Sequence, residues 1–181
     1  MYSRMVNETP PTTVDLQQYT RMAEIARLMR RVKSGGGTFY WIAALSVINS
    51  LIVIFGGGVT FVIGLGITQF IDAIAMLLVQ EIGRDSALII QGVGLLLDLA
   101  LAGLFALFGV FATKGKKWAF IAGMILYFLD GLLFLLVMDI WSIGFHLFML
   151  WGLFTGLSAL NKLNAMSRPE DQFGFPKNIG S

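Results

Sequence analysis

Residues Leu99–Met138 read LALAGLFALFGVFATKGKKWAFIAGMILYFLDGLLFLLVM. Two apolar runs in this stretch are joined by the short basic segment Lys114-Gly115-Lys116-Lys117. Each run approaches the roughly 20 apolar residues that an α-helix needs to cross a bilayer. Backbone polar groups surrounded by lipid must be satisfied within their own segment, which an apolar run achieves as a helix. The stretch therefore predicts two antiparallel membrane helices joined by a tight basic turn.

The composition of the whole chain extends this interpretation. Of the 181 residues, 56% are hydrophobic and 13% charged, and the mean hydropathy is +0.77. Soluble domains carry about 25% charged residues, so this chain is predicted to be an all-α, polytopic membrane helix bundle. The absence of cysteine excludes disulfides, thiol nucleophiles and iron–sulfur clusters. His146 is the only histidine, which excludes a multi-histidine metal site within one chain.

Five apolar stretches follow a polar N-terminal region, and the chain divides into four segments. The predicted segments are a disordered tail (1–12), an amphipathic interfacial helix (13–34), a transmembrane bundle (38–160) and a polar cytoplasmic tail (161–181). The apolar stretches within the bundle are Thr38–Phe55, Val59–Val79, Ala87–Ala112, Trp118–Met138 and Ile140–Leu160.

The predicted amphipathic helix begins at an N-cap provided by Thr12 or Thr13. Its apolar residues recur at three- and four-residue steps, and arginines occupy much of the opposite face. Such a helix is typical of the headgroup region of an anionic leaflet, although packing on the soluble part of a partner remains an alternative. Ser34-Gly35-Gly36-Gly37 is predicted to break the helix. The apolar residues are Leu16, Tyr19, Met22, Ile25, Met29 and Val32.

The distribution of basic residues favours four membrane crossings over five. Lysine and arginine precede the first stretch, fill the Lys114–Lys117 turn and follow the fifth stretch. Positive charge in short loops favours the cytoplasm, and five crossings would break that rule. The second stretch contains Gly64, Gly66 and Asp72, and it is predicted to be re-entrant or interfacial instead of spanning. Five true spans remain the alternative.

Polar side chains inside the apolar stretches form a candidate intramembrane cluster. Asp130 and His146 flank the predicted turn near Met138-Asp139 and are expected to face each other. The cluster can act as hydrogen-bonded packing between helices, as a proton or ion path, or, at His146, as an axial ligand to haem or a porphyrin-type pigment. Its predicted members are Asn49, Asp72, Gln91, Asp98, Tyr127, Asp130 and His146.

Two further patterns concern helix packing and membrane anchoring. Gly152 and Gly156 form a G-x-x-x-G pattern, which lets helices approach closely either within one chain or between two. Phe39, Tyr40 and Trp41 begin the first span and are predicted to lie in the aromatic belt at the headgroup level.

Three segments resemble those of small bacterial multi-span membrane proteins without an assigned activity. They are Phe39–Ala43, Gly64–Gln69 with Asp72, and Lys114–Phe120, within a region of similarity from Gly37 to Leu160. The resemblance implies a bacterial inner membrane and transfers no site.

The expected function is that of a structural or accessory subunit of a larger membrane assembly. The alternative is a small proton- or ion-coupled transporter or channel. No enzymatic activity, cofactor or nucleic acid is expected. The expected partners are the bilayer, anionic headgroups at the basic helix, and other membrane subunits or a second copy. Both termini are expected in the cytoplasm.

Overall fold

A computed structural model of the protein describes residues 12–55 and 64–167, and these residues are all-helical. The predicted tails therefore lie largely outside the described residues, as does the beginning of the second apolar stretch. A 3₁₀ helix at Arg84–Ser86 precedes the third α-helix. The α-helices are α1 (Thr13–Ile54), α2 (Gly66–Ile82), α3 (Ala87–Thr113), α4 (Lys117–Leu136) and α5 (Ile140–Met166).

Four of these helices, α1, α3, α4 and α5, are long and apolar enough to cross a membrane. They alternate in direction. Gly36 of α1 packs against Thr113 of α3, while Ser50 bonds to Asp98, so α1 and α3 are antiparallel. The short turns after α3 and α4 reverse the chain twice more. We call the end that carries the Lys114–Lys117 turn the basic end, and the end that carries Arg84–Ser86 and Asp139 the far end.

The predicted break at Ser34–Gly37 is wrong, because α1 continues through it as a single helix of 42 residues. The glycines serve close packing instead of a hinge. A Cβ atom at Gly35 would lie 2.5 Å from the Cα of Gly156 in α5, and one at Gly36 would lie 2.8 Å from the backbone nitrogen of Thr113 in α3. Helix α1 therefore fits between two neighbours only because these positions lack side chains.

The N-terminal half of α1 packs along the end of α5. Thr12 caps α1, since its hydroxyl accepts from the Asp15 amide at 3.3 Å and its own amide donates to the Asp15 carboxylate at 3.0 Å. Leu28 and Val32 are buried in the core, and Arg21 donates to the backbone oxygen of Met166 at 3.4 Å. At 1.5 Å per residue α1 is about 63 Å long, roughly twice the hydrocarbon thickness of a bilayer.

An aromatic cluster fills the centre of the bundle near the basic end. Phe39 is fully buried, with ring centroids 5.9 Å from Phe108 and 6.2 Å from Phe120. The prediction that Phe39 anchors the chain at the headgroups is therefore wrong, whereas Tyr40 and Trp41 are exposed. Helical spacing turns Phe39 towards the core and the next two residues, Tyr40 and Trp41, outwards.

Helix α2 runs in the same direction as α1. Its first residues contact Ser46 of α1, since the Leu65 amide donates to the Ser46 hydroxyl at 2.8 Å. Further along α2, Ala75 packs against Gly94 of α3, while the earlier residue Asp72 interacts with Asp98. Thus α2 is antiparallel to α3 and parallel to α1. Helix α2 thus begins at the level of Ser46, before the end of α1, and proceeds towards the far end.

Candidate functional site

The carboxylate of Asp130 in α4 holds the beginning of α2. Its Oδ2 accepts from the Gly66 amide at 2.7 Å, and its Oδ1 accepts from the Ile67 amide at 2.9 Å. The first amides of any helix lack partners within that helix, and Leu65 at the N-cap offers no side-chain acceptor. A negatively charged carboxylate at the N-terminus of a helix also interacts favourably with the helix dipole. Asp130 therefore fixes where α2 starts.

His146 of α5 completes this arrangement, which we call the Asp130 joint: Asp130, His146 and the amides of Gly66 and Ile67. The Nε2 of His146 lies 3.0 Å from Oδ2 of Asp130, as expected from their spacing about the turn. The Nδ1 lies 2.8 Å from the backbone oxygen of Ser142, which can only accept, so Nδ1 carries a proton. A proton must then also lie between Nε2 and Oδ2. Whether this proton resides on Nε2 of His146 or on Oδ2 of Asp130, the two side chains together have no net charge.

Tyr127 stacks on the imidazole of His146. The ring centroids are 4.4 Å apart and the planes differ by 15°. Phe134 lies on a second side, with its centroid 5.0 Å away. The hydroxyl group of Tyr127 is buried without a hydrogen-bond partner. The stacking favours one orientation of the imidazole.

Both ring nitrogens of His146 are engaged, which bears on the expected axial-ligand role. A haem or porphyrin iron would have to displace either the Ser142 carbonyl or the Asp130 carboxylate from the imidazole. In the part of the chain that the structure describes, no three side chains of the metal-ligating types come together. The geometry therefore favours a packing role for His146.

A second polar group, the Asp72–Asp98 pair, lies between α1, α2 and α3. The Ser50 hydroxyl donates to Oδ2 of Asp98 at 2.7 Å. Asp72 lies close enough to interact with Asp98 directly. Oδ1 of Asp98 and Oδ2 of Asp72 are buried and accept no hydrogen bond. This pair therefore has hydrogen-bonding capacity that the fold does not use.

The remaining predicted members do not join either group by a hydrogen bond. Asn49 is fully buried, and neither its amide nitrogen nor its oxygen has a partner. Gln91 is half-buried on α3, about two turns nearer the far end than Asp98. The sequence-predicted cluster is thus divided into the Asp130 joint with Tyr127 stacked on its imidazole, the Asp72–Asp98 pair and two outlying amides.

Gly152 and Gly156 lie in the contact between α5 and α1 of the same chain. A Cβ atom at Gly156 would lie 2.8 Å from the Cα of Gly35, and one at Gly152 would lie 3.2 Å from the Thr38 hydroxyl. This placement favours the intrachain alternative for the G-x-x-x-G pattern.

Sequence reasoning missed the role of backbone amides in the site. Neither the Gly66 and Ile67 amides nor the Ser46 hydroxyl belonged to the predicted cluster, yet they connect α2 to α4 and α1. One signal could have pointed to these amides. Helix α2 begins at Gly66, and no Ser, Thr, Asp or Asn precedes it to cap its first amides.

The fold and the apolar composition define a multi-pass helical membrane protein with four long apolar helices. Comparison of the chain with protein-family models, with curated proteins and with solved structures finds no match.

Proposed function

We propose that this protein is a structural or accessory subunit of a membrane assembly. The observation that supports this most is the Asp130 joint, in which one intramembrane carboxyl group accepts from the amides of Gly66 and Ile67 and shares a proton with His146. A carboxyl group that makes three hydrogen bonds within the fold keeps little capacity to bind a transported ion. Its chemistry is that of a connection between helices.

The grooves on the bundle also support a packing role. One groove between α4 and α5 is lined by Met124, Phe128, Leu150, Trp151 and neighbouring apolar residues. Another between α2 and α3 is lined by Ile71, Leu78, Val93, Leu97 and their apolar neighbours. Such surfaces suit lipid chains or the helices of another subunit, because both are apolar.

In the bilayer we place α2 as a re-entrant segment and α1, α3, α4 and α5 as the four crossings. The parallel course of α1 and α2 supports this, since successive true crossings must alternate in direction. Leu65 is fully buried beside Ser46, about 12 Å before the end of α1 by helical rise. A backbone that turns at this depth is tolerated when protein surrounds it.

We orient the basic end towards the cytoplasm of a bacterial inner membrane, with both termini on that side. The Lys114–Lys117 turn and the arginine-rich half of α1 lie together at this end. Leu16, Tyr19 and Met22 remain exposed there and are available to the interface of an anionic leaflet.

The test combines flux with site-specific crosslinking. Liposomes containing the purified chain should show no proton or cation flux above protein-free liposomes. A photoreactive residue at the exposed position Trp151 should form one defined crosslinked species in native membranes, and one at Gln17 should not. Measurable flux that Asp98→Asn abolishes in a folded variant would contradict the accessory role.

A second candidate function, a proton- or ion-coupled transporter, is favoured by one observation. The Asp72–Asp98 pair is buried and keeps two carboxyl oxygens without partners. For this function Asp72→Asn and Asp98→Asn should abolish flux while the Asp130 joint and the folding remain intact.

A further inference from the structure

The Asp72–Asp98 pair brings two buried acids together. Asp98 is 1% exposed and Asp72 is 7% exposed. One oxygen of each, Oδ1 of Asp98 and Oδ2 of Asp72, is buried and accepts no hydrogen bond. Buried polar atoms in native proteins almost always have a hydrogen-bond partner, so we expect these two oxygens to have one as well.

Among the side chains that the structure describes, no basic group forms an ion pair with Asp72 or Asp98. Helix α1 contributes the Ser50 hydroxyl, and the one ion pair among the described residues joins His146 and Asp130. Asp130 is the acid that α4 presents to α2, and it is occupied by the amides at the start of α2 and by His146. Two carboxylates that share a site cannot both remain ionised, because each charge raises the energy of the other.

The surroundings make ionisation of both acids still more costly. Ile71 and Leu97, which precede Asp72 and Asp98 in the sequence, line the apolar groove between α2 and α3. One turn nearer the far end, Gly94 allows α2 to approach, and a Cβ atom there would lie 3.6 Å from the Cβ of Ala75. Apolar and small residues therefore border the pair on the side of this groove and towards the far end.

We propose that Asp72 and Asp98 form a proton-binding site in which one proton is held between Oδ2 of Asp72 and Oδ1 of Asp98. One carboxyl group donates and the other accepts, which satisfies both orphan oxygens. A metal cation would need several more oxygen ligands, whereas a proton needs only these two. The site is independent of the accessory role. If the protein is instead an ion-coupled transporter, this site accounts only for the binding of the proton.

Infrared spectroscopy of the full chain in nanodiscs tests this site without any flux. The carboxylic-acid absorption at neutral pH is compared between wild type, Asp72→Asn and Asp98→Asn. Each variant should lose the signal of about one protonated carboxyl group per chain. In each variant the remaining acid is relieved of its like charge and receives a hydrogen bond from the new amide, so it ionises. Asp139→Asn, at the acid that caps α5, should lose none.

Ser50→Ala provides a variant that keeps both acids. It removes a hydrogen bond to the ionised form of Asp98, so the protonated signal should persist to higher pH than in wild type. Retention of the signal in either Asn variant would overturn the shared proton, as would its absence from wild type or its loss in Ser50→Ala. Loss of the wild-type signal when sodium replaces potassium would assign the pair to a metal cation instead.

Discussion

Oδ2 of Asp130 in α4 lies 3.0 Å from Nε2 of His146 in α5, and the same carboxylate accepts hydrogen bonds from the first two amides of α2. One side chain thus connects three helices. Because α2 has no cap of its own, its position depends on this connection. The position of α2 and the proposed packing role both depend on this relationship.

Replacing Asp130 by alanine should destabilise the protein by about 2 kcal/mol. Interhelical polar bonds in membrane proteins contribute about 0.6 kcal/mol each on average, and Asp130 takes part in three. Reversible unfolding in mixed micelles measures the change. Asp85→Ala, which removes an exposed acid near the far end, should change stability by less than about 0.5 kcal/mol.

A double-mutant cycle separates the Asp130–His146 contact from the capping of α2. Asp130→Ala and His146→Ala should together cost less than the sum of the single variants, with a coupling of about 0.5–2 kcal/mol. Additive effects would mean that the two side chains stabilise the fold independently, contrary to the proton shared between Nε2 and Oδ2.

The contact between α1 and α5 should not tolerate a side chain at Gly156. A Cβ atom there would lie 2.8 Å from the Cα of Gly35, and the backbone of α1 cannot easily move. Gly156→Ala should cost about 1–3 kcal/mol through overpacking. Gly144→Ala on the same helix is the matched control, because a Cβ atom there meets nothing within 4 Å. Equal effects of the two substitutions would contradict the packing of α5 on α1.

The turn between α4 and α5 contains a strained residue. Met138 has a φ of 52°, a left-handed conformation that costs a residue with a side chain about 1–2 kcal/mol. Met138→Gly should therefore raise the thermal unfolding temperature. Val137→Gly, one residue earlier and at a φ of −103°, should lower it. A decrease for both would mean that the turn is not strained.

Asp139 should stabilise α5 in a pH-dependent way. Hydrogen bonds from Ser142, together with the Trp141 amide, hold the pKa of the Asp139 carboxyl below its usual range. The stabilisation is thus complete above about pH 4, the usual pKa of an aspartate, and is lost as the pH falls through the lower folded-state value. Asp139→Ala should cost about 1 kcal/mol at neutral pH.

The control for this prediction is Asp139→Asn, which keeps an oxygen that can cap the helix and cannot ionise. Thermal unfolding at neutral and acidic pH should show the difference between Asp139→Ala and wild type shrinking in acid. A difference that stays constant would show that the carboxylate charge has no part in capping α5.

Periodicity and spacing predicted the elements whose contacts are close in sequence. Asp130 and His146 flank one turn, so helical rise alone places them at the same level. The four long apolar helices followed from the length and hydropathy of their segments. Thr12 as an N-cap followed from its position before the first helical residues.

Contacts between segments that are distant in the sequence could not be predicted from it. Gly35 and Gly36 predict a helix break when the sequence is considered alone, because glycine destabilises helices in water. In the fold they admit Gly156 and Thr113 at distances that a side chain would forbid. Likewise, nothing local indicates that Asp130 caps a helix that begins at Gly66, since this depends on how α2 and α4 pack.

The placement of α2 is tested most directly by the sidedness of four single cysteines, which the chain permits because it has none of its own. Cysteines at Gln17, Lys114, Asp85 and Met138 are labelled in intact cells with an impermeant maleimide. We expect Asp85 and Met138 to be labelled from outside, and Gln17 and Lys114 to be labelled only after lysis. If Gln17 and Lys114 lie on opposite sides of the membrane, α2 crosses it and the four-crossing account is wrong.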